Sequence, residues 1–321
     1  MEKKSIVITA PLPGKRFEEI LSDRRFTVSV LDAESRTSLP DVLRRHDPDG
    51  IVSLLSDKLD ATTLAGCTHL KVISNYAVGY NNIDIDYAKK KGIIVTNTPD
   101  VLTDATADIA ILLLLSVSRR AWEAECFMRE GRFRGWLPDL FLGVGIQGKK
   151  LGIIGYGRIG AAVARRARAF GMQILYFSRR RLPEEQEQAE AISYRALDDL
   201  IRESDVISLH LPYTSEAHHL IDARRISLMK PSAILINTAR GPLVDEAALL
   251  SALMERRIFG AGFDVYEHEP QVDPALLRLP NVSVLPHIGS ATAETRSAMA
   301  ALAIDDCVAV LTGSKPRHRI V

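Results

Sequence analysis

Cysteine is scarce: Cys67, Cys126 and Cys307 are the only three in 321 residues. They are far apart and show no CxxC spacing, which argues against a disulfide framework and against a structural zinc site. Neither sign of charge is in surplus, with 41 Lys plus Arg against 40 Asp plus Glu. A near-neutral chain is not built as a general polyanion binder, so no nucleic-acid partner is expected. Long hydrophobic runs are also missing. The most apolar stretch, 109–117, is about half a membrane span and runs into Arg119-Arg120, so no membrane partner is expected. The opening MEKKSIVITAPLPGKRF is basic, but its apolar stretch is too short for a signal-peptide core, and a cytoplasmic location is expected. Metal-ligand spacings such as HExxH are absent and no metal is expected.

What is present suits a globular chain. Hydrophobic residues make up 46% and charged residues 25%, ample for two cores at roughly 150 residues per domain. Residues 5–9, 27–31, 50–54, 71–75 and 93–96 read as strands, with helices near 15–22, 38–45, 59–65 and 84–91. Strict alternation of this kind predicts a parallel sheet covered on both faces. Asn97-Thr98-Pro99 breaks the pattern. A single helix is predicted over 102–130, apolar enough in its middle to be buried on several sides. Residues 131–148 read as an irregular excursion. A second alternating series follows, with strands at 151–155, 172–177, 205–209, 233–237, 260–264 and 282–285. Helices fit 158–170, 196–203, 222–229 and 245–256, and a last helix at 293–312 is expected to return to the first domain. The prediction is therefore an α/β protein with two doubly wound parallel-sheet domains. A substrate domain over 1–98 and 291–321 is interrupted by a dinucleotide-binding domain over 99–290.

Gly155-Tyr156-Gly157-Arg158-Ile159-Gly160 is a GxGxxG turn between an apolar strand and a helix, the context that makes it a dinucleotide fingerprint. Gly155 permits the tight turn, Gly157 lets the backbone approach a pyrophosphate, and Gly160 allows close helix–strand packing. A site for NAD wants a carboxylate at the end of the second strand, to bind the ribose 2′-hydroxyl. Here that strand ends in Ser178-Arg179-Arg180-Arg181. A hydroxyl and guanidinium groups suit a 2′-phosphate, so NADPH is expected over NADH, with NADH still possible.

Three chemistry-bearing residues follow successive strands of the second series: Arg240, Glu269 and His287. Ligands bind outside the carboxyl ends of strands in such sheets. Reduction of a 2-keto acid needs a hydride and a proton, and an imidazolium can donate that proton near neutral pH. His287 is the candidate acid, Glu269 the carboxylate that orients it, and Arg240 a fork for the substrate carboxylate. His218, His219 and His268 have equal claims by residue type alone, and Glu267 competes with Glu269. His210 reads as structural or as lining the cofactor groove.

With these motifs in view, the whole chain resembles the D-isomer-specific 2-hydroxyacid dehydrogenases. The resemblance rests on the glycine turn, Asn237-Thr238-Ala239-Arg240-Gly241, Gly262-Phe263-Asp264-Val265 with Glu269-Pro270, and Pro286-His287-Ile288-Gly289. It implies a Rossmann cofactor domain inserted into a flavodoxin-like substrate domain, and a catalytic trio of Arg240, Glu269 and His287. Glu269 is then preferred to Glu267, because the family's acid immediately precedes the proline. The resemblance also assigns Thr106, Leu211, Pro212, Thr238, Ala239, Asp264 and Gly289 to the cofactor site.

Within the family the chain looks most like glyoxylate/hydroxypyruvate reductases, through residues 75–84, 103–108 and Gly135-Trp136 with Pro138. That likeness implies a substrate carboxylate held by the amides of Val78 and Gly79, with Leu55 and Ser56 nearby. It also implies a homodimer through the cofactor domains, in which Trp136 reaches a partner's substrate site or serves the dimer contact. The alternatives are reduction of 2-ketogluconate or a bulkier 2-keto acid, a non-catalytic dinucleotide sensor, or phosphite oxidation.

Overall fold

The structure is a computed structural model that describes residues 3–321. Met1 and Glu2, where the opening segment and the expected substrate domain begin, lie outside the described residues. Short apolar strands alternate with helices that carry their own start and stop signals. The first series is β1 (Lys4–Ile8), α1 (Lys15–Ser22), β2 (Phe26–Val30), α2 (Ala33–Arg36), α3 (Leu39–His46), β3 (Gly50–Leu54), α4 (Ala61–Leu64), β4 (Val72–Tyr76), α5 (Ile85–Lys91) and β5 (Ile94–Thr96). Asp32, Asp60 and Asp84 start α2, α4 and α5, each accepting the backbone N–H three residues on. Gly92 closes α5 at φ 70°, behind three lysines that complement the helix dipole.

The five strands are parallel in the order β2-β1-β3-β4-β5. That is the flavodoxin-like order, whose reversal lies between β1 and β3. Helical crossovers bury both faces, and the period of two along each strand divides the core. Val7, Ile51, Ile73 and Val95 pack on one side with Leu43 and Leu64. Ile6, Ile8, Val52 and Val72 pack on the other with Ala300, Ala303 and Ile304.

The second series is α6 (Thr103–Ser118), α7 (Ala121–Arg129), β6 (Lys150–Ile154), α8 (Arg158–Ala169), β7 (Gln173–Phe177), α9 (Glu184–Ala189), β8 (Ile192–Tyr194), α10 (Leu197–Glu203), β9 (Val206–Leu209), α11 (Ala223–Ser227), β10 (Ile234–Asn237), α12 (Glu246–Met254), β11 (Gly260–Phe263), α13 (Pro274–Arg278) and β12 (Val282–Val284). Its seven strands are parallel in the order β12-β11-β10-β9-β6-β7-β8. Counted from β6, this is the dinucleotide-binding order with an added edge strand, and it reverses between β6 and β9. α14 (Ala293–Leu311) packs on β3, β4 and α1 of the first sheet. Among the described residues no helix is long and apolar enough to cross a membrane.

The chain divides into two compact units. One runs to Leu102 and resumes at Ser290–Val321; the other is Thr103–Gly289. The first passage falls at 102/103 rather than 98/99, because α6 begins at Thr103 and packs on α8, β10, β11 and β12. The second falls at 289/290 rather than 290/291.

Two expectations need correction. The helix predicted over 102–130 is broken: Arg120 adopts φ 52° between α6 and α7. The Ser118 carbonyl, which a continuing helix would use, accepts the Val144 N–H instead. α6 itself is buried on several sides, as expected, through Ala107, Ala110, Ile111, Leu113, Leu114 and Val117, while Leu112 is 51% exposed. In addition, α2, α9, β8 and α13 escape a reading by periodicity, being too short to show any. The second sheet consequently has seven strands, not six.

Candidate active site

The glycine turn leaves β6 at the point where the second sheet reverses. Gly155 sits at φ 97°, and a Cβ there would lie 2.7 Å from the backbone of His210 and Leu211 at the end of β9. Gly157 is different: a Cβ there would meet nothing within 4 Å. It starts α8 with no side-chain cap, so the first N–H groups of Arg158, Ile159 and buried Gly160 form an anion-binding end. Across the turn, the Thr238 hydroxyl at the end of β10 is buried without a partner among the described residues. An open cradle, an uncapped helix and an orphaned hydroxyl fit a dinucleotide.

At the end of β7, Ser178 Oγ accepts the Tyr156 N–H at 3.0 Å, which ties the turn to the next strand. Tyr156 packs its ring on Tyr176 and donates to Glu190 at 2.6 Å, so this side chain is anchored away from the glycine positions. Arg181 is committed, forking onto Glu187 at 2.7 and 2.8 Å. Arg179 and Arg180 are exposed and make no ion pair among the described residues, although the charge of Arg179 helps to hold the Glu216 carboxyl below its ordinary value.

The loops after β10, β11 and β12 form one hydrogen-bonded group. Asn237 braces the first, accepting the Ala239 N–H at 3.0 Å and donating to the Arg240 carbonyl at 2.8 Å. Burial pulls the Arg240 guanidinium below its ordinary pKa, against the charge of Glu269. Glu269 accepts from Tyr266 N–H at 2.9 Å through one oxygen, and its other oxygen lies 2.9 Å from His287 Nδ1. Burial pushes the Glu269 carboxyl up, but His287, the Tyr266 N–H and Arg240 outweigh it and leave it below the ordinary range. His287 itself adopts φ 53°, a conformation costly for a non-glycine residue. Asp264 holds it there: the buried carboxylate accepts the Ile288 and Gly289 N–H groups, both at 2.7 Å. That burial raises the Asp264 pKa despite these bonds. A Cβ at Gly289 would approach both Asp264 and Thr106, so these three cofactor candidates meet.

The rival histidines separate. Burial pushes the His210 pKa down to about 3, and its Nε2 lies 2.8 Å from Ser208 Oγ, so it is neutral and anchored. Leu211 and Pro212 continue from it along the turn. His219 pairs with Glu267 at 2.5 Å, and His268 is exposed. Each of the two competing carboxylates therefore has its own histidine, and Arg240 acts on Glu269.

Leu55, Ser56, Val78 and Gly79 belong to the first unit. Buried Asp57 braces the turn after β3: it accepts from Thr9 Oγ1 at 2.5 Å, Leu54 N–H at 2.7 Å and Arg36 Nη2 at 2.9 Å. Arg36 also donates to Ser56 Oγ at 2.8 Å. After β4, three successive carbonyls are held from behind. Ala77 accepts the Thr98 N–H at 2.9 Å, Val78 the Asn97 side-chain amide at 2.8 Å, and Gly79 the Asn75 side-chain amide at 2.8 Å. A trans peptide points its N–H opposite its C=O, so these anchors aim the N–H groups of Val78, Gly79 and Tyr80 the other way. Trp136, by contrast, joins none of these groups and is 81% exposed.

Known proteins resemble this chain along nearly its whole length. The family model for the NAD-binding domain of D-isomer specific 2-hydroxyacid dehydrogenases matches residues 111–289. The chain belongs to that family. This dehydrogenase is 52% identical over 279 residues to a glyoxylate reductase of Thermococcus litoralis, spanning 86% of this chain and 84% of the relative. A Thermus thermophilus protein of known structure superimposes with a TM-score of 0.91 at 41% identity, covering 99% of this chain and all of that one. The NADPH-dependent glyoxylate/hydroxypyruvate reductase of Sinorhizobium meliloti, in complex with NADP and malonate, gives a TM-score of 0.86 at 35% identity, covering 100% of this chain and 97% of that one. The chain is thus an NAD(P)-dependent dehydrogenase that takes a nicotinamide dinucleotide.

Sequence reasoning missed the residues that aim the dehydrogenase's backbone. Asn75, Asn97 and Asp57 are buried polar groups at strand ends. The available signal was a polar residue closing an apolar strand, which must find a partner when buried.

Proposed function

We propose that this dehydrogenase is an NADPH-preferring reductase of small 2-keto acids, taking glyoxylate to glycolate and hydroxypyruvate to D-glycerate. The observation that carries the reaction is the His287–Glu269 hydrogen bond at the strand ends beside Arg240. The small substrate is supported by the likeness to glyoxylate reductases.

Bound NADPH supplies a hydride for the substrate's carbonyl carbon. The α8 end and Gly157 hold its pyrophosphate, and Ser178, Arg179 and Arg180 its 2′-phosphate. Thr238, Asp264 and Gly289 line the remainder. Glu269 occupies His287 Nδ1, which leaves Nε2 to hold the proton for the carbonyl oxygen. The carboxylate also fixes the ring, so Nε2 is aimed at that oxygen as negative charge develops on it. Arg240, stripped of part of its hydration, grips the substrate carboxylate as a bidentate fork. The amides of Val78 and Gly79 serve the same carboxylate, with Leu55 and Ser56 limiting the substrate's size.

A homodimer through the cofactor unit fits the exposed apolar side chains Leu112, Trp122, Met128, Phe133, Trp136 and Leu142, all between residues 112 and 142. Such a dimer has twice the 35.4 kDa of one chain by light scattering.

The test is the initial loss of nicotinamide absorbance with glyoxylate, run with NADPH and NADH in parallel and repeated with hydroxypyruvate. Fast loss with NADPH and slow loss with NADH is the expected result. Faster loss with NADH overturns the cofactor assignment alone. No loss with either cofactor overturns the substrate assignment.

A further inference from the structure

A second histidine–carboxylate group lies in the cofactor unit, and the proposed reduction leaves it unused. His218 and His219 follow a short turn after β9, and Glu267 lies in the loop after β11. One ligand atom from each comes within 4.8 Å of the others. The two rings stack at 3.9 Å and 21°. Each ring has a neighbour at Nδ1. Tyr213 Oη stands 3.5 Å from that atom in His218, and Asp245 Oδ2 stands 4.0 Å from it in His219. That leaves Nε2 of each ring for a ligand, and Nε2 of His219 is the atom already 2.5 Å from Glu267 Oε1.

The surroundings are negative. The Glu246 and Glu267 carboxylates each accept the other residue's backbone N–H, at 2.6 and 3.3 Å. A cation placed here would offset the negative charge that Glu246 and Glu267 bring together. Two imidazoles and one carboxylate, with outer partners on the rings, are a donor set for zinc-class dications rather than for calcium or magnesium.

We propose that His218, His219 and Glu267 form a binding site for a transition-metal dication such as Zn²⁺, with solvent completing its coordination. The site is separate from the reduction: His287 and Glu269 form their own pair. Its effect is to pin the loop carrying Glu267 to the 218–219 turn, whose His219 N–H already donates to the Pro242 carbonyl.

The test is calorimetric titration of the chelator-treated full chain with Zn²⁺, together with thermal melting. The expected result is one Zn²⁺ per chain, and a Tm raised by roughly 5–10 °C at about one hundred times the Kd. His218→Ala and Glu267→Gln should each weaken binding at least tenfold. His218 is exposed, so His218→Ala keeps the fold even if Glu267→Gln does not. His69→Ala, which breaks the exposed His69–Asp47 pair, should leave binding unchanged. Co²⁺ in place of Zn²⁺ should give visible bands without thiolate charge transfer. The proposal fails if the wild type binds no more tightly than His218→Ala, if His69→Ala lowers affinity equally, or if a thiolate band places the metal on a cysteine.

Discussion

Glu269→Gln should lower kcat/KM for glyoxylate and leave KM for NADPH unchanged. In the wild type, His287 Nδ1 lies 2.9 Å from a Glu269 oxygen, the contact that fixes the ring. A hydrogen bond to a charged group is worth about 1.5–3 kcal/mol. The side chains are 29% and 32% accessible, so water takes part of that and about 2 kcal/mol is reasonable. At 1.36 kcal/mol per tenfold in rate, the loss is worth roughly thirtyfold.

The amide itself adds to the same direction. The second Glu269 oxygen accepts the Tyr266 N–H. A glutamine has one oxygen for two donors, so its amide NH₂ must face either Tyr266 N–H or His287. Facing His287, it needs Nδ1 as an acceptor, which a protonated ring does not offer. The sign follows: the ring loses the partner that aims its Nε2, and kcat/KM falls about tenfold to a hundredfold. The Glu269 carboxyl sits below its ordinary pKa, so its charge persists as pH falls through the ordinary glutamate range. The acid side of the wild-type profile should therefore show no glutamate-like step. The assay is kcat/KM for glyoxylate from pH 5 to 10 in both proteins, with KM for NADPH as a check on folding. An unchanged kcat/KM, or a loss matched by an equal rise in KM for NADPH, would refute the reasoning and leave Glu269 a structural residue.

Three further contrasts separate site from scaffold. Arg180→Ala with Arg179→Ala should raise KM for NADPH about tenfold to a hundredfold and leave NADH unaffected, as expected for charge-assisted bonds to a 2′-phosphate; equal changes in both cofactors refute the assignment. Arg181→Ala should instead lower the melting temperature without changing cofactor choice, because Arg181 is forked onto Glu187. Gly157→Ala should fold normally and bind dinucleotide poorly, measured by NADPH fluorescence, because its Cβ enters open space. Gly155→Ala should lose stability by several kcal/mol in denaturant titration, as an unfavourable φ and a close approach to the His210 backbone both oppose it. Asn97→Ala should raise KM for glyoxylate about tenfold with KM for NADPH unchanged, since it frees the Val78 carbonyl and lets the Gly79 N–H turn away; an unchanged glyoxylate KM would remove these amides from substrate binding.

What the sequence made legible follows the range of each physical signal. The strands of both sheets are short apolar runs between turn residues, and parallel burial makes such runs hard to miss. β8 and α2 are three and four residues long, below any periodicity. The break at Arg120 was hidden for another reason. Both flanking segments are good helix formers, and the helix ends because Val144, distant in sequence, takes the Ser118 carbonyl. The glycine turn and its serine–arginine ending were readable because neighbours in sequence are neighbours in space.

The strand-end group was only half readable. Topology brings Arg240, Glu269 and His287 to one edge of the second sheet, but sequence spacing cannot decide between Glu267 and Glu269. In the structure that choice turns on which carboxylate faces which ring. Tyr266 N–H and Asp264 aim Glu269 and His287 at each other, while the Glu246 N–H turns Glu267 toward His219. Two residues along one loop thus serve two separate histidines, and a carboxylate moved from one position to the other could not replace it. Glu269→Gln combined with Glu267→Gln should therefore lower kcat/KM no further than Glu269→Gln alone. Were the double variant to lower it further, the two pairs would be coupled, and the separation drawn between the reduction and the metal site would not stand.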